Sequence, residues 1–143
     1  MLKFLVPVDG SEPSGRAVDQ LISLLAWYKE KVEVHLLNVQ HHLPYGGRVS
    51  SFVGHDKIAQ YLQDEGMAAL KAAREKLDAA KIPYHYHIGV GEEGEVISQY
   101  AREQGCDQIV MGTRGMGSVS NLVLGSVTTK VIHLSPVPVL LLR

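Results

Sequence analysis

The chain is short of several things, and each shortage closes off a class of protein. It has a single cysteine, Cys106, so no internal disulfide can form; that fits a reducing compartment. Its 14 lysines and arginines nearly balance 15 aspartates and glutamates, leaving a formal charge of −1. Such a surface offers no bulk attraction for nucleic acid or an anionic membrane. No apolar run approaches the ~20 residues that span a bilayer. The apolar opening stops at Asp9, too short for a secretory core. The expectation is a cytoplasmic protein with no membrane partner. Linkers, repeats and low-complexity segments are missing too, so residues 1–143 read as one domain with room for a core. The 45% hydrophobic and 20% charged composition is that of an ordinary globular chain.

What is present alternates regularly. Residues 2–8 form a short apolar run ended by the turn signal Asp9-Gly10-Ser11, which reads as a buried strand. A helix follows, with Ser11 or Ser14 as its cap, Pro13 in its first turn, and a stripe of Val18, Leu21, Ile22 and Leu25. Residues 32–39 read as a second strand, and 41–54, broken by Pro44, Gly46, Gly47 and Gly54, as a loop. Residues 56–80 have the period of a long amphipathic helix, with Ile58, Leu62, Leu70, Ala73 and Leu77 inward and Gly66 weakening the middle. Strands at 84–89, 108–111 and 137–142 alternate with helices at 95–104, stopped by Gly105, and at 126–133. The order βαβαβαβαβ predicts a parallel sheet with helices on both faces.

Ligands of such sheets sit beyond the carboxyl ends of strands, where strand order reverses. The glycine-rich stretch from Gly112 to Gly125 lies between a strand and a helix. Glycines permit positive φ and close backbone approach, and a helix N-terminus favours an anion. The stretch therefore suggests a phosphate cradle, and with it a nucleotide. Asp9, after the first strand, suits a ribose hydroxyl or a metal bridging to phosphates, and equally a turn or cap. A second motif, Gly89-Val-Gly91-Glu-Glu-Gly94, has dinucleotide-site spacing. It follows the third strand, however, and Glu92 and Glu93 would repel a pyrophosphate. A βα turn with acids at a helix N-terminus is its expected role.

Gly112-x-x-Gly115, nine residues, then Gly125-Ser126 resembles the G-2x-G-9x-G-[S/T] motif of ATP-binding universal stress proteins. Leu5-Val-Pro-Val-Asp-Gly-Ser11 resembles that family's opening strand and loop, and Ser126-Val127, Lys130-Val131 and the run from Ser135 to Leu142 resemble its ending. The likeness covers essentially the whole chain. It departs at Gly91-Glu-Glu-Gly94, where members often carry Gly-Asp-Pro, a loop expected to lie away from the site. The resemblance implies an open five-stranded parallel sheet ordered 3-2-1-4-5, of the adenine nucleotide α-hydrolase-like kind. It implies ATP, or ADP or AMP, as the ligand, with Mg2+ as its optional companion. Carried over by position, Pro7, Val8 and Asp9 would flank the adenosine, and Val39 would offer backbone groups to the base. Met111, Gly112 and Gly115 would line the ribose and phosphates, with Arg114 in reach of a phosphate. Gly125, Ser126, Val127 and Thr128 would present amides and hydroxyls to the phosphate chain. A homodimer pairing the strand at 137–142 is implied as well, since that apolar edge would otherwise expose unpaired backbone.

Parts that would make an efficient ATPase are scarce. No lysine directly follows a glycine before Ser126 or Thr128, as a Walker A loop requires, and no second carboxylate obviously joins Asp9. The expectation is a nucleotide-dependent switch or sensor in the stress response, with slow or no hydrolysis. The alternatives are a slow ATPase and a homodimeric module that binds no nucleotide. The signatures of ATP pyrophosphatases and adenylyl transferases, Ser-Gly-Gly-x-Asp-Ser or His-x-x-His, do not occur at the first loop, which reads Asp9-Gly-Ser-Glu-Pro-Ser14. A receiver domain's acidic pair is missing there too. His85 and His87 share one face of a strand, a spacing that suits zinc. A partly exposed edge strand is the expected setting, His41 and His42 show no third ligand, and no structural metal is expected. Cys106 is expected to be packed rather than reactive.

Overall fold

The computed structural model describes residues 1–42, 54–113 and 124–143. Strands β1 (Leu2–Pro7), β2 (Val32–Gln40), β3 (Tyr84–Val90), β4 (Gln108–Gly112) and β5 (Val139–Leu142) alternate with helices α1 (Glu12–Leu25), α2 (His55–Ala79), α3 (Glu93–Glu103) and α4 (Ser126–Leu134). The strands make one sheet in the order β3-β2-β1-β4-β5, and every pairing is parallel. This is the order the family resemblance implied.

Alternation along the strands builds two cores. Phe4, Val6 and Val8 point to one face and meet Val18 and Leu21 of α1 and Leu70 and Leu77 of α2. Leu5, Leu37, Ile109 and Met111 point to the other and meet Ile97 and Ala101 of α3 and Val131 of α4. Cys106 is buried in this second core, and burial pushes its thiol above the usual value, as a packed residue requires. Of the stripe expected on α2, Leu70, Ala73 and Leu77 are buried while Ile58 and Leu62 are half-exposed, so the helix overhangs the sheet at its start.

Local signals explain most element ends. The Ser11 hydroxyl accepts the Ser14 N–H at 3.2 Å and caps α1. Gly105, at φ 63°, ends α3, and Cys106 N–H reaches back to the Ala101 carbonyl at 2.9 Å. Two ends differ from expectation. Helix α3 starts at Glu93 rather than 95, because the Glu92 carboxylate accepts the Gly94 and Glu95 N–H groups at 3.1 and 2.8 Å. Strand β5 starts at Val139 rather than 137, because a turn holds the chain there: the Ser135 hydroxyl donates to the Val137 carbonyl at 2.6 Å. Among the described residues no helix is long and apolar enough to cross a membrane.

Candidate functional site

Strand order reverses between β1 and β4, and a cleft of about 660 Å³ opens at their carboxyl ends. That volume is ordinary for a small-molecule site. Pro7 at the end of β1 and Val8 and Asp9 just after it line the cleft, with Val39 from β2, Met111 and Gly112 from β4, and Gly125, Ser126, Val127 and Thr128 from the start of α4. All the expected site residues in the described segments therefore share one cavity. Arg114 and Gly115 lie outside the described residues.

The wall at β4 and α4 is rich in donors. Gly125 N–H donates to the Thr113 carbonyl at 2.7 Å, and the buried Thr128 hydroxyl donates to the Gly112 carbonyl at 3.1 Å. These bonds tie the strand end to the helix start. The first turn of α4 has no side-chain cap among the described residues; its earliest backbone bond runs from Thr129 N–H to the Gly125 carbonyl. The N–H groups ahead of it, at Ser126, Val127 and Thr128, belong to residues that line the cleft.

The opposite wall is acidic. Asp9 accepts the Ser11 N–H at 2.9 Å on Oδ1, so it is a turn residue as well as a lining one. Glu65 of α2 and Glu93 of α3 also line the cavity, whereas no lysine or arginine does among the described residues. At the mouth, His41 Nε2 lies 2.6 Å from Glu93 Oε1, joining the end of β2 to the start of α3. Below it, the buried Asn38 amide donates to the Val8 carbonyl at 2.9 Å and locks the ends of β1 and β2 together. Asn38, Glu65 and Glu93 are not among the site residues expected from the sequence. The Asn38 signal was visible, a polar residue inside an apolar strand. The two glutamates come to the cleft only through the packing of α2 and α3.

Glycine fixes how close the roof of the cleft sits. Gly10 has φ +82°, and a Cβ there would lie 3.0 Å from Ala69 Cα on α2. The second glycine motif has the packing role expected of it. Gly91 has φ +148°, and a Cβ on Gly94 would meet Lys130 Cγ at 2.5 Å. Lys130 in turn pairs with Glu92 at 3.6 Å. Burial works against the Glu92 charge, yet the Glu95 and Gly94 amides and Lys130 hold its carboxyl below the usual range. Glu92 therefore occupies the α3 N-terminus itself. One expectation is corrected: this loop is not remote from the site, since the next residue, Glu93, lines the cleft.

An open, all-parallel α/β sheet with a cleft at its reversal point is a nucleotide-type architecture. The chain matches the universal stress protein family over residues 1–143 and belongs to it. It is 32% identical to the universal stress protein YxiE of Bacillus subtilis, over 99% of this chain and 98% of that one. The structure of protein MJ0577 of Methanocaldococcus jannaschii superposes with a TM-score of 0.79 at 27% identity, over 98% of this chain and 94% of that one. An Arabidopsis thaliana family protein solved with AMP bound has the same fold, with a TM-score of 0.69 at 20% identity, over 99% and 91% of the two chains.

Proposed function

We propose that this universal stress protein binds an adenine nucleotide in the β1–β4 cleft and acts as an occupancy switch rather than as an efficient ATPase. The observation that carries the reading is the N-terminus of α4, which has no side-chain cap among the described residues and lines the cleft, on the G-2x-G-9x-G-S spacing. Orphan amides and the helix dipole there suit phosphate oxygens. Asp9, on the acidic side, suits ribose hydroxyls, and Val39 suits the edge of the base. The cleft volume and the AMP complex of the Arabidopsis relative agree with a ligand of this class. Arg114 and Gly115 belong to the same proposed set by sequence position. With Asp9, Glu65 and Glu93 in the cavity, a triphosphate needs a counter-charge, so Mg2+ is proposed as its companion. The cavity offers no lysine among the described residues to balance charge developing on a leaving phosphate, which favours binding over turnover.

The test is calorimetric titration with ATP, ADP and AMP, with and without Mg2+, beside a steady-state phosphate-release assay. The expected result is saturable binding with turnover far below ordinary enzyme rates. Ser126→Asp supplies a control that keeps the fold: a carboxylate in the first turn of α4 suits the helix by about 0.3–1 kcal/mol while repelling phosphate. It is expected to weaken binding at least tenfold with no loss of thermal stability. No binding at millimolar nucleotide would sink the proposal and favour the interaction module. Ordinary turnover abolished by Asp9→Ala would favour the ATPase.

A further inference from the structure

We propose that Glu33, His35 and His85 form a binding site for a divalent transition-metal ion, zinc foremost, on the sheet at the end away from the cleft. Register brings the three together. Residues two apart on a strand share a face, and β2 pairs with β3 so that His35 lies directly across from His85. Glu33 therefore sits on the same face, one strand step below. His35 Nε2 is 2.6 Å from Glu33 Oε1, and His85 Nε2 is 3.4 Å from the same oxygen. A donor atom from each residue lies within 4.8 Å of the other two.

Tetrahedral zinc with bonds of ~2.0–2.1 Å needs donors about 3.3 Å apart. The His85–Glu33 spacing already has that value, and the His35–Glu33 pair must open by less than an ångström. The donor set, two imidazoles and a carboxylate, suits zinc and its neighbours rather than Mg2+ or Ca2+, which prefer all-oxygen shells.

The surroundings hold the central ligand in place. His35 is buried and its Nδ1 lies 3.0 Å from the Tyr100 hydroxyl on α3. The Tyr100 hydroxyl offers an acceptor at that position. It can accept the Nδ1 proton and leave the Nε2 lone pair for a metal, the outer-shell arrangement that fixes ligating histidines. Without metal, the 2.6 Å contact between Nε2 and the Glu33 carboxylate needs a proton between them. The metal would take that proton's place, so binding moves the proton to Nδ1 or releases it to solvent. His85 is exposed and Glu33 partly so, which leaves the remaining positions open to water and gives the ion a path in. The expectation of no metal weighed His85 with His87 and His41 with His42, whereas Glu33 and His35 join His85 only through the β2–β3 register.

The test is zinc titration of the untagged, nucleotide-free chain against a chromophoric chelator. Omitting nucleotide separates this site from any metal carried on phosphates, so either proposal can fail without the other. One zinc per chain is expected. His85→Asn and Glu33→Gln should each weaken it at least tenfold, and Tyr100→Phe about tenfold. His133→Asn, on exposed α4 surface, should leave it unchanged. Imidazole 15N resonances of His35 and His85 should shift on zinc addition, and those of His41 and His42 should not. Circular dichroism in the presence of a chelator checks that the variants fold. Substoichiometric zinc, binding indifferent to His85→Asn, or binding that requires nucleotide would overturn the site.

Discussion

Gly66→Ala pits helix propensity against packing, and the structure decides between them. In the middle of α2, alanine gains about 1 kcal/mol over glycine on propensity alone. A Cβ on Gly66 would, however, lie 2.6 Å from Ile88 Cδ1, 2.7 Å from Cγ2 and 2.8 Å from Cγ1. Ordinary carbon contacts are ~3.5–4.0 Å. Because both branches of the isoleucine are too close, turning its tip does not clear the clash. Helix α2 must lift from β3 by about 1 Å, and overpacking of that kind costs about 1–3 kcal/mol. The packing loss wins, leaving a net destabilisation of roughly 1 kcal/mol, which lowers the thermal midpoint by about 2–4 °C in a chain of this size. Urea unfolding of Gly66→Ala, Ile88→Ala and the double variant measures it. Ile88→Ala removes all three offending carbons, so the pair should be more stable than the sum of its parts by ~1 kcal/mol or more. A single Gly66→Ala variant that is more stable than the parent, or a strictly additive pair, would refute the reasoning. The change also bears on the cleft: Ala69, one turn along α2, rests on Gly10. A lifted helix widens the cavity, so nucleotide affinity is expected to fall with stability.

Glu92→Gln should lose about 1 kcal/mol at neutral pH through a weaker cap on α3. The Glu92 carboxyl sits below its ordinary 4.5 in the folded chain, so its contribution is present above that value and lost as pH falls through the lower folded one. Parent and variant melting curves should therefore converge in acid; an equal gap at every pH would count against the assignment. Thr128→Val should cost about 1–2 kcal/mol in urea unfolding by stranding the Gly112 carbonyl, and Thr128→Ser should restore most of it. We further expect a homodimer paired along β5, an edge strand; sedimentation equilibrium returning a monomer at tens of micromolar would reject it.

The fold was legible because its signals are local. The apolar run of β1 and the stripe on α1 read directly as a buried strand and an amphipathic helix, and their alternation along the chain as a parallel sheet, while the strand order came with the family resemblance. The glycine-rich wall of the cleft was legible for the same reason, since Gly112, Gly125 and Thr128 lie close together along the chain. What could not be read depends on register and packing. Nothing in the sequence says that His35 faces His85; that follows from pairing Val34 with Tyr84. Nor does it say that Glu65 and Glu93, on different helices, border one cavity. The start of β5 was misplaced because Ser135 folds the chain back onto itself before the strand begins.

Two helices begin near this cleft with the same electrostatic need and meet it differently. Helix α3 supplies its own anion: the Glu92 carboxylate takes the amides of Gly94 and Glu95, and Lys130 from α4 lies against it. Gly94 is small so that Lys130 can pass, which makes the second glycine motif a joint between α3 and α4. That joint holds the start of α3 beside the cleft, where Glu93 adds to the acidic wall. Among the described residues, helix α4 has no such carboxylate, and its first turn lines the cavity. The cleft is therefore polar along its length, with amide donors on one side and carboxylate acceptors on the other. Such a cavity favours a ligand with an anionic end at α4 and a hydroxyl-bearing end at the acidic wall. For the proposed nucleotide, that asymmetry reconciles the acidic wall with an anionic ligand. The acidic wall would oppose a phosphate placed beside Asp9 and Glu93, and the proposed ligand would therefore set its phosphate at α4.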